Sequence, residues 1–151
     1  MTLLNVEVVK AVMARVPVIF VRSVLTRAST VPEVAARLPA GGSTVAVRIT
    51  GDEEMAQLNR TYADIPNATD VLSFTGIGDH LGDIALSWPA IERQAELFGH
   101  DARTELALLS VHGLLHLLGW DHAMARERKE MTRLTVAALK LSRITPAQGR
   151  L

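Results

Sequence analysis

The chain has 151 residues, 16 basic and 16 acidic side chains, 48% apolar residues and no cysteine. This composition is typical of a single globular domain, which we expect to span residues 1–151. It excludes a disordered chain, a disulfide scaffold, a thiolate metal site and a cysteine nucleophile.

The neutral balance of charges argues against a strongly basic nucleic-acid protein, but the charges are distributed unevenly along the chain. Residues 1–49 carry six basic and two acidic groups, residues 50–110 three and eleven, and residues 123–151 seven and two. A local basic surface for a polyanion is therefore compatible with the sequence.

The order of the predicted elements is mixed strands and helices first, then helices alone. Runs of β-branched residues predict strands, whereas capping residues and Gly or Pro boundaries predict helices. In chain order the predictions are a strand at 3–9, helices at 17–28 and 31–38, a strand at 44–50, a helix at 53–62 capped by Asp52, strands at 70–74 and 81–87, and helices at 90–98, 102–118 and 123–141. This order predicts an α+β domain in which helices cover one mixed sheet of about four strands.

No segment has the length and composition of a membrane span. The most apolar run, 106–120, is shorter than the roughly 20 residues that a spanning helix needs, and it contains two histidines. The N-terminus lacks the pattern of an export signal. We therefore expect a cytoplasmic protein with no membrane partner.

Three of the five histidines lie within eleven residues, which read His-Gly-Leu-Leu-His-Leu-Leu-Gly-Trp-Asp-His from 112 to 122. The helix predicted at 102–118, in the C-terminal part of the chain, is the predicted metal-binding helix. His112 and His116 share one face of it because they are four residues apart. Gly119 permits a left-handed turn, after which His122 can reach the same point. Three imidazoles with one open position form a hydrolytic zinc site, where bound water becomes a nucleophile. We expect one Zn²⁺ per chain, although another divalent metal such as Ni²⁺ also accepts nitrogen ligands. The alternative is a group of structural core histidines.

The histidine spacing equals that of the metzincin proteases, H-E-x-x-H-x-x-G-x-x-H. Those enzymes place a glutamate general base directly after the first histidine, and this chain has Gly113 there. Peptide hydrolysis is therefore disfavoured. Phosphodiester cleavage fits better, because a cation stabilises charge on phosphoryl oxygens. No side chain is assigned as a general base, so the catalytic residues beyond the metal ligands stay unknown.

Several polar residues near the motif have two interpretations. Asp121 could orient a ligating histidine, since such imidazoles usually donate their second N–H, or it could cap the following helix. His80 and His100 are predicted to be surface histidines. The basic residues after the motif predict a solvated helix face or, alternatively, a track for RNA; they are Arg126, Arg128, Lys129 and Arg133.

The histidine block resembles the signature of the YbeY family, the bacterial zinc-dependent endoribonucleases and rRNA maturation factors. Upstream blocks resemble that family in the same order, over about residues 45–140; they are Leu58-Asn59, Tyr62, Thr69-Asp70-Val71-Leu72-Ser73-Phe74 and Leu81-Gly82-Asp83-Ile84. The resemblance implies an α+β domain with a metal on His112, His116 and His122.

The resemblance also implies a substrate and partners. It implies cleavage of single-stranded rRNA, maturation of the 3′ end of 16S rRNA, a role in ribosome quality control and contact with the small ribosomal subunit. One departure bears on activity. Family members often carry an arginine, implicated in RNA cleavage, directly after the tyrosine of the Leu-Asn-x-x-Tyr block, and here that residue is Ala63. A lost guanidinium removes a bidentate phosphate contact. The alternative function is therefore a metal-stabilised ribosome-assembly factor that does not cleave RNA, and a metalloprotease-like hydrolase is the least favoured.

Overall fold

The computed structural model describes residues 4–63, 70–121 and 123–151, which form four strands and six α-helices. The strands are β1 (Leu4–Lys10), β2 (Ser43–Thr50), β3 (Val71–Thr75) and β4 (His80–Ser87). The helices are α1 (Val18–Ala28), α2 (Pro32–Arg37), α3 (Asp52–Leu58), α4 (Trp88–Phe98), α5 (Ala102–Leu117) and α6 (Ala125–Leu141). A π-helical turn over Asn59–Ala63 follows α3.

The strands form one mixed sheet in the order β1-β2-β4-β3. Strand β2 is parallel to β1 and β4, whereas β3 is antiparallel to β4. Alternate residues of β2 are fully buried because successive side chains of a strand point to opposite faces; these are Val45, Val47 and Ile49. The predicted α+β class with one mixed sheet covered by helices is confirmed.

Helix α5 is the central helix of the core. It packs against α1, α4, α6, β3 and β4, and every residue from Glu105 to Val111 is buried. Such burial on all sides explains why its sequence is apolar without a polar stripe. Neither α5 nor any other helix in the described part of the chain is long and apolar enough to cross a membrane. The polar residues of α5 are therefore exceptions that need partners or an opening to solvent.

The helix bounds agree with the predicted ones to within two residues, except that α3 ends at Leu58 instead of 62, where the π-helical turn continues the chain. Two predicted caps also differ. Gly99 and Gly119 have φ angles of 81° and 97° and follow α4 and α5, as predicted. Gly51, and not Asp52, is the N-cap of α3; Asp52 lies in the first turn, where its carboxylate accepts hydrogen bonds from neighbouring elements. The N-cap of α6 is Met124 without a side-chain hydrogen bond, so the interpretation of Asp121 as its cap is wrong.

Candidate metal centre and adjoining cavity

Two of the three predicted metal ligands lie side by side on α5. His112 and His116 are half-buried, in a helix whose preceding turns are closed to solvent. Their ring centroids are 4.6 Å apart, and the rings meet edge to face at 69°. This geometry follows from the four-residue spacing, which places the side chains one above the other. The pair presents two nitrogen donors at the point where α5 emerges from the core.

The turn after α5 is fixed by local and distant contacts. The amides of Gly119 and Trp120 donate to the carbonyls of His116 and Leu115, each at 3.0 Å. Arg37, from the end of α2, donates to the carbonyl oxygen of Leu118 at 3.1 Å. The Arg37 guanidinium also lies 3.6 Å from the centroid of the Trp120 ring. The chain is therefore held in place up to the residue before Asp121.

The third predicted ligand, His122, lies outside the described residues. Among the residues that the structure describes, no group of three potential metal ligands occurs. Two imidazoles one helical turn apart fit the nitrogen donor set of a zinc site, which needs at least one further donor. Asp121 is exposed and its role in orienting a histidine stays a prediction.

Gly113, which directly follows His112, packs closely against the sheet. A Cβ built on Gly113 would lie 2.9 Å from Cγ2 and 3.1 Å from Cδ1 of Ile84 on β4. Ile84 is fully buried, so it would have to shift if a side chain were added at Gly113. Helix α5 therefore approaches the sheet closely at this point, and the glutamate of a metzincin motif would overlap Ile84 in its present position.

A cavity of about 340 Å³ opens beside His112. It lies between α5, α6, the start of β3 and the end of the chain. Its polar lining consists of Asp70, His112, Arg128, Thr132, Thr135 and Arg150, and the remaining lining is apolar. A volume of this size, with an apolar lining and a few converging polar groups, is typical of a small-molecule or nucleotide pocket.

A buried ionic network anchors the C-terminal segment to α5. Glu105 is fully buried and accepts hydrogen bonds from Arg150, at 2.7 Å to Nη2 and 3.1 Å to Nε. The Nε2 atom of His100 lies 2.7 Å from the same carboxylate, and its Nδ1 accepts from the amide of Ala147 at 2.9 Å. The charged carboxylate in the apolar helix is thus fully partnered, as a buried charge requires.

The prediction that His100 is a surface residue is wrong, because its side chain is only 8% exposed. Residues 145–150 fold back over it, and this contact is not visible in the local sequence. The roles of Glu105 and Arg150 were missed for the same reason. The signal that could have found them is the charge itself: a glutamate inside a long apolar helix needs a partner elsewhere.

The Glu105 carboxyl has a lowered pKa as a result of opposing effects. Burial alone would raise its pKa, and it is the largest single effect. The hydrogen bonds from Arg150 and His100, together with the charge of Arg150, outweigh it and lower the pKa below the usual range of glutamate. Glu105 therefore stays ionised inside the core at neutral pH.

The upstream blocks contribute to both faces of the sheet: Asp70 and Val71 line the cavity beside His112, whereas Tyr62 and Phe74 lie on the face away from α5. The Tyr62 ring packs edge-on against Phe74, with 5.3 Å between centroids. Phe74 pairs with Asp83, whereas the neighbouring Ile84 contacts the position of Gly113 on α5. His80 bridges β2 and β4 through Thr44 Oγ1, which lies 2.7 Å from Nδ1. The side chain of His80 is 35% exposed.

The described site is thus a pair of histidines on an apolar helix that packs on a mixed sheet, with a cavity beside the first of them. Residues 18–142 match the family model described as Endoribonuclease YbeY. The chain belongs to this family.

Relatives and one solved structure agree with that assignment. The chain is 45% identical over 94 residues to the Endoribonuclease YbeY of Roseiflexus castenholzii, which covers 55% of this chain and 59% of the relative. It is 39% identical over 127 residues to that of Chloroflexus aggregans, covering 72% and 82%. The matches to the Roseiflexus protein and to that of Gloeobacter violaceus span under two thirds of those relatives, 59% and 58%. A solution structure from Thermotoga maritima has the same fold, with a TM-score of 0.57 at 19% identity over 97% of this chain and 99% of the other.

Proposed function

We propose that this chain is a zinc-dependent endoribonuclease that cleaves single-stranded RNA, with the metal held by His112, His116 and His122. The observation that carries the proposal is the edge-to-face pair of His112 and His116, the first of which lines a cavity, in a chain that matches the YbeY family over residues 18–142. We extend the proposal to maturation of the 3′ end of 16S rRNA and to ribosome quality control in the cytoplasm. The small ribosomal subunit is the partner, and residues 1–151 act as one domain.

The residues at the metal site would have the following roles. When bound, zinc supplies Lewis-acid activation of water and of a phosphoryl oxygen. His112 and His116 would hold the metal, and the burial of the preceding turns of α5 would fix their positions. Asp121 is the nearest carboxylate in sequence to the third histidine and is proposed to accept the second N–H of a ligating imidazole. No side chain is assigned as general base.

Peptide hydrolysis is a weaker candidate on steric grounds. The metzincin arrangement needs a glutamate after the first histidine. At that position, a side chain would overlap Ile84, which lies 2.9 Å from the place of a Cβ on Gly113. Phosphodiester cleavage makes a smaller demand on a protein acid at the leaving group when a metal stabilises the developing charge.

The second candidate is an assembly factor that binds rRNA without cutting it. The observation that favours it is Ala63, which replaces the arginine often found after the tyrosine of the Leu-Asn-x-x-Tyr block. Without that guanidinium, one contact to a phosphate is absent. The metal site would then stabilise the fold instead of catalysing a reaction.

An RNA cleavage assay with metal analysis on the same sample tests the proposal. End-labelled single-stranded RNA from the 3′ region of a 16S precursor is incubated with wild type, His112→Ala and His116→Ala. We expect cleavage and about one zinc per chain in the wild type and the loss of both in each variant. His80→Ala is the matched control, since this histidine lies on β4 and bonds to Thr44. Protein without bound metal that is unaffected by His116→Ala would refute the metal site, and binding without cleavage would favour the assembly factor.

A further inference from the structure

Helix α6 presents one face to the cavity beside His112. The lining residues on this helix are Arg128, Met131, Thr132 and Thr135, which are spaced as one helical face. Met131 is 4% exposed and anchors the helix against the core, whereas Arg128 is exposed at the mouth. A second concavity of about 410 Å³ adjoins the first, shares Arg128 and Thr132 with it and adds Lys129. The two concavities form a groove along α6.

The cations around this groove differ in whether they already have a partner. Arg150 is bound to Glu105, and Arg133, further along α6, is bound to Glu33 at 2.7 Å. By contrast, the side chains of Arg128 and Lys129 form no ion pair with any residue that the structure describes. Asp70 is the acidic side chain that lines the groove, and it lies on the β3 side with a partner of its own, while Leu151 lines both concavities at the end of the chain. The α6 side therefore offers unneutralised positive charge next to His112.

We propose that Arg128 binds a backbone phosphate of single-stranded RNA at the His112 cavity and that Lys129 binds a neighbouring phosphate along α6. The inference rests on the proposed function, because RNA is the occupant. A guanidinium binds phosphate in a bidentate manner, and Lys contributes as a point charge. The apolar part of the lining, which includes Leu108 and Met131, suits the face of a base. The groove thus combines the two surfaces that a nucleotide presents, a charged backbone and an apolar ring.

Arg126 provides a matched control on the same helix. It is exposed, carries the same charge and lies two residues before Arg128, but it does not line the groove. Arg128→Gln and Arg126→Gln therefore remove the same charge from α6 and differ only in the direction of the side chain. Circular dichroism and thermal melting should show an unchanged fold for both variants, since both positions are exposed.

The test measures binding of a fluorescein-labelled, single-stranded RNA of mixed sequence by anisotropy over a range of salt concentrations, with the RNA checked for integrity on a gel. We expect Arg128→Gln to weaken binding about tenfold and to reduce the slope of log affinity against log salt by about 0.7, the value for one lost phosphate contact on a single strand. Arg126→Gln should change the affinity by about twofold at most. Arg128→Lys should keep the salt slope because it keeps the charge.

The result separates this inference from the proposed function. If the wild type cleaves RNA while Arg128→Gln and Arg126→Gln bind RNA with equal affinity, the inference about Arg128 is wrong and the proposed nuclease activity is supported. If the wild type does not cleave RNA but binds it in a manner that depends on Arg128, the inference stands and the nuclease is wrong. Absence of any RNA binding by the wild type would overturn the inference.

Discussion

The Oε2 atom of Glu105 lies 2.7 Å from Nη2 of Arg150, 45 residues further along the chain. The contact joins α5, two turns before His112, to a segment that follows the last helix. That segment turns at Arg143, which adopts a left-handed φ of 57°, and then runs back to line the cavity at Arg150. The anchor therefore joins Glu105, inside the part that matches the family model, to Arg150, which lies beyond it.

Arg150→Gln should lower the free energy of unfolding by about 3 kcal/mol, because it leaves the fully buried Glu105 carboxylate without its main counter-charge. Urea unfolding at pH 7 measures the change. Arg126→Gln is the control, since that exposed side chain has no comparable buried partner. A loss no larger than that of the control would show that the ion pair contributes little to stability.

The same pair should make stability depend on pH. The pKa of Glu105 is lower in the folded than in the unfolded state, despite the burial that opposes this, owing to Arg150 and His100. The unfolded state therefore takes up the proton first as pH falls. The stabilisation is complete above the unfolded pKa of about 4.3 and is lost as pH falls through the folded pKa. The difference in unfolding free energy between wild type and Arg150→Gln should shrink over that range. A difference that stays constant from pH 7 to pH 3 would contradict the assignment.

Gly113→Ala should destabilise the protein by about 1–3 kcal/mol, since its Cβ would overlap Ile84 at 2.9 Å. Gly41→Ala is the control, because no atom lies within 4 Å of its added Cβ. A double-mutant cycle with Ile84→Ala isolates the steric clash, and Gly113→Ala should cost less when Ile84 is already shortened. If Gly113→Ala lowers the free energy of unfolding equally with Ile84 and with Ile84→Ala, the overlap with Ile84 is not the cause of the destabilisation.

Arg37→Gln should weaken zinc binding, measured by competition with a chromogenic chelator. The variant loses the contact with the Trp120 ring and the hydrogen bond to Leu118, which together hold the turn that leads to His122. The free energy of unfolding should fall by only about 1 kcal/mol, because Arg37 is exposed. Arg15→Gln, at an exposed position remote from that turn, should leave the zinc affinity unchanged. Equal zinc affinity in the two variants would show that this turn does not position the metal ligand.

Zinc itself should stabilise the folded state. At a free concentration of about 100 times Kd, a ligand that binds only the folded chain adds about 2.7 kcal/mol, which corresponds to a rise in Tm of about 5 °C or more for a domain of this size. His116→Ala should abolish that rise, and His80→Ala should retain it. A wild-type Tm that does not respond to zinc or to chelator would contradict the metal site.

The sequence by itself predicted the elements whose causes are local. The run of β-branched residues over 44–50 predicts a strand, and Gly119 marks the end of the helix that carries His112 and His116. The placement of His112 and His116 on one face of that helix follows from helical periodicity alone. These features depend on residues a few positions apart, so they can be read from a single sequence.

Only the tertiary structure decided which distant residues meet. The burial of His100 depends on the return of residues 145–150, and the contact of Arg37 with Leu118 spans 81 residues. The proposal of a phosphate contact at Arg128 also required the fold, because only the fold places Arg128 beside the His112 cavity. Such pairings depend on how α2, α5, α6 and the last residues pack together. Local periodicity and propensity carry no information about that packing, because the contacts form between segments that the sequence keeps apart.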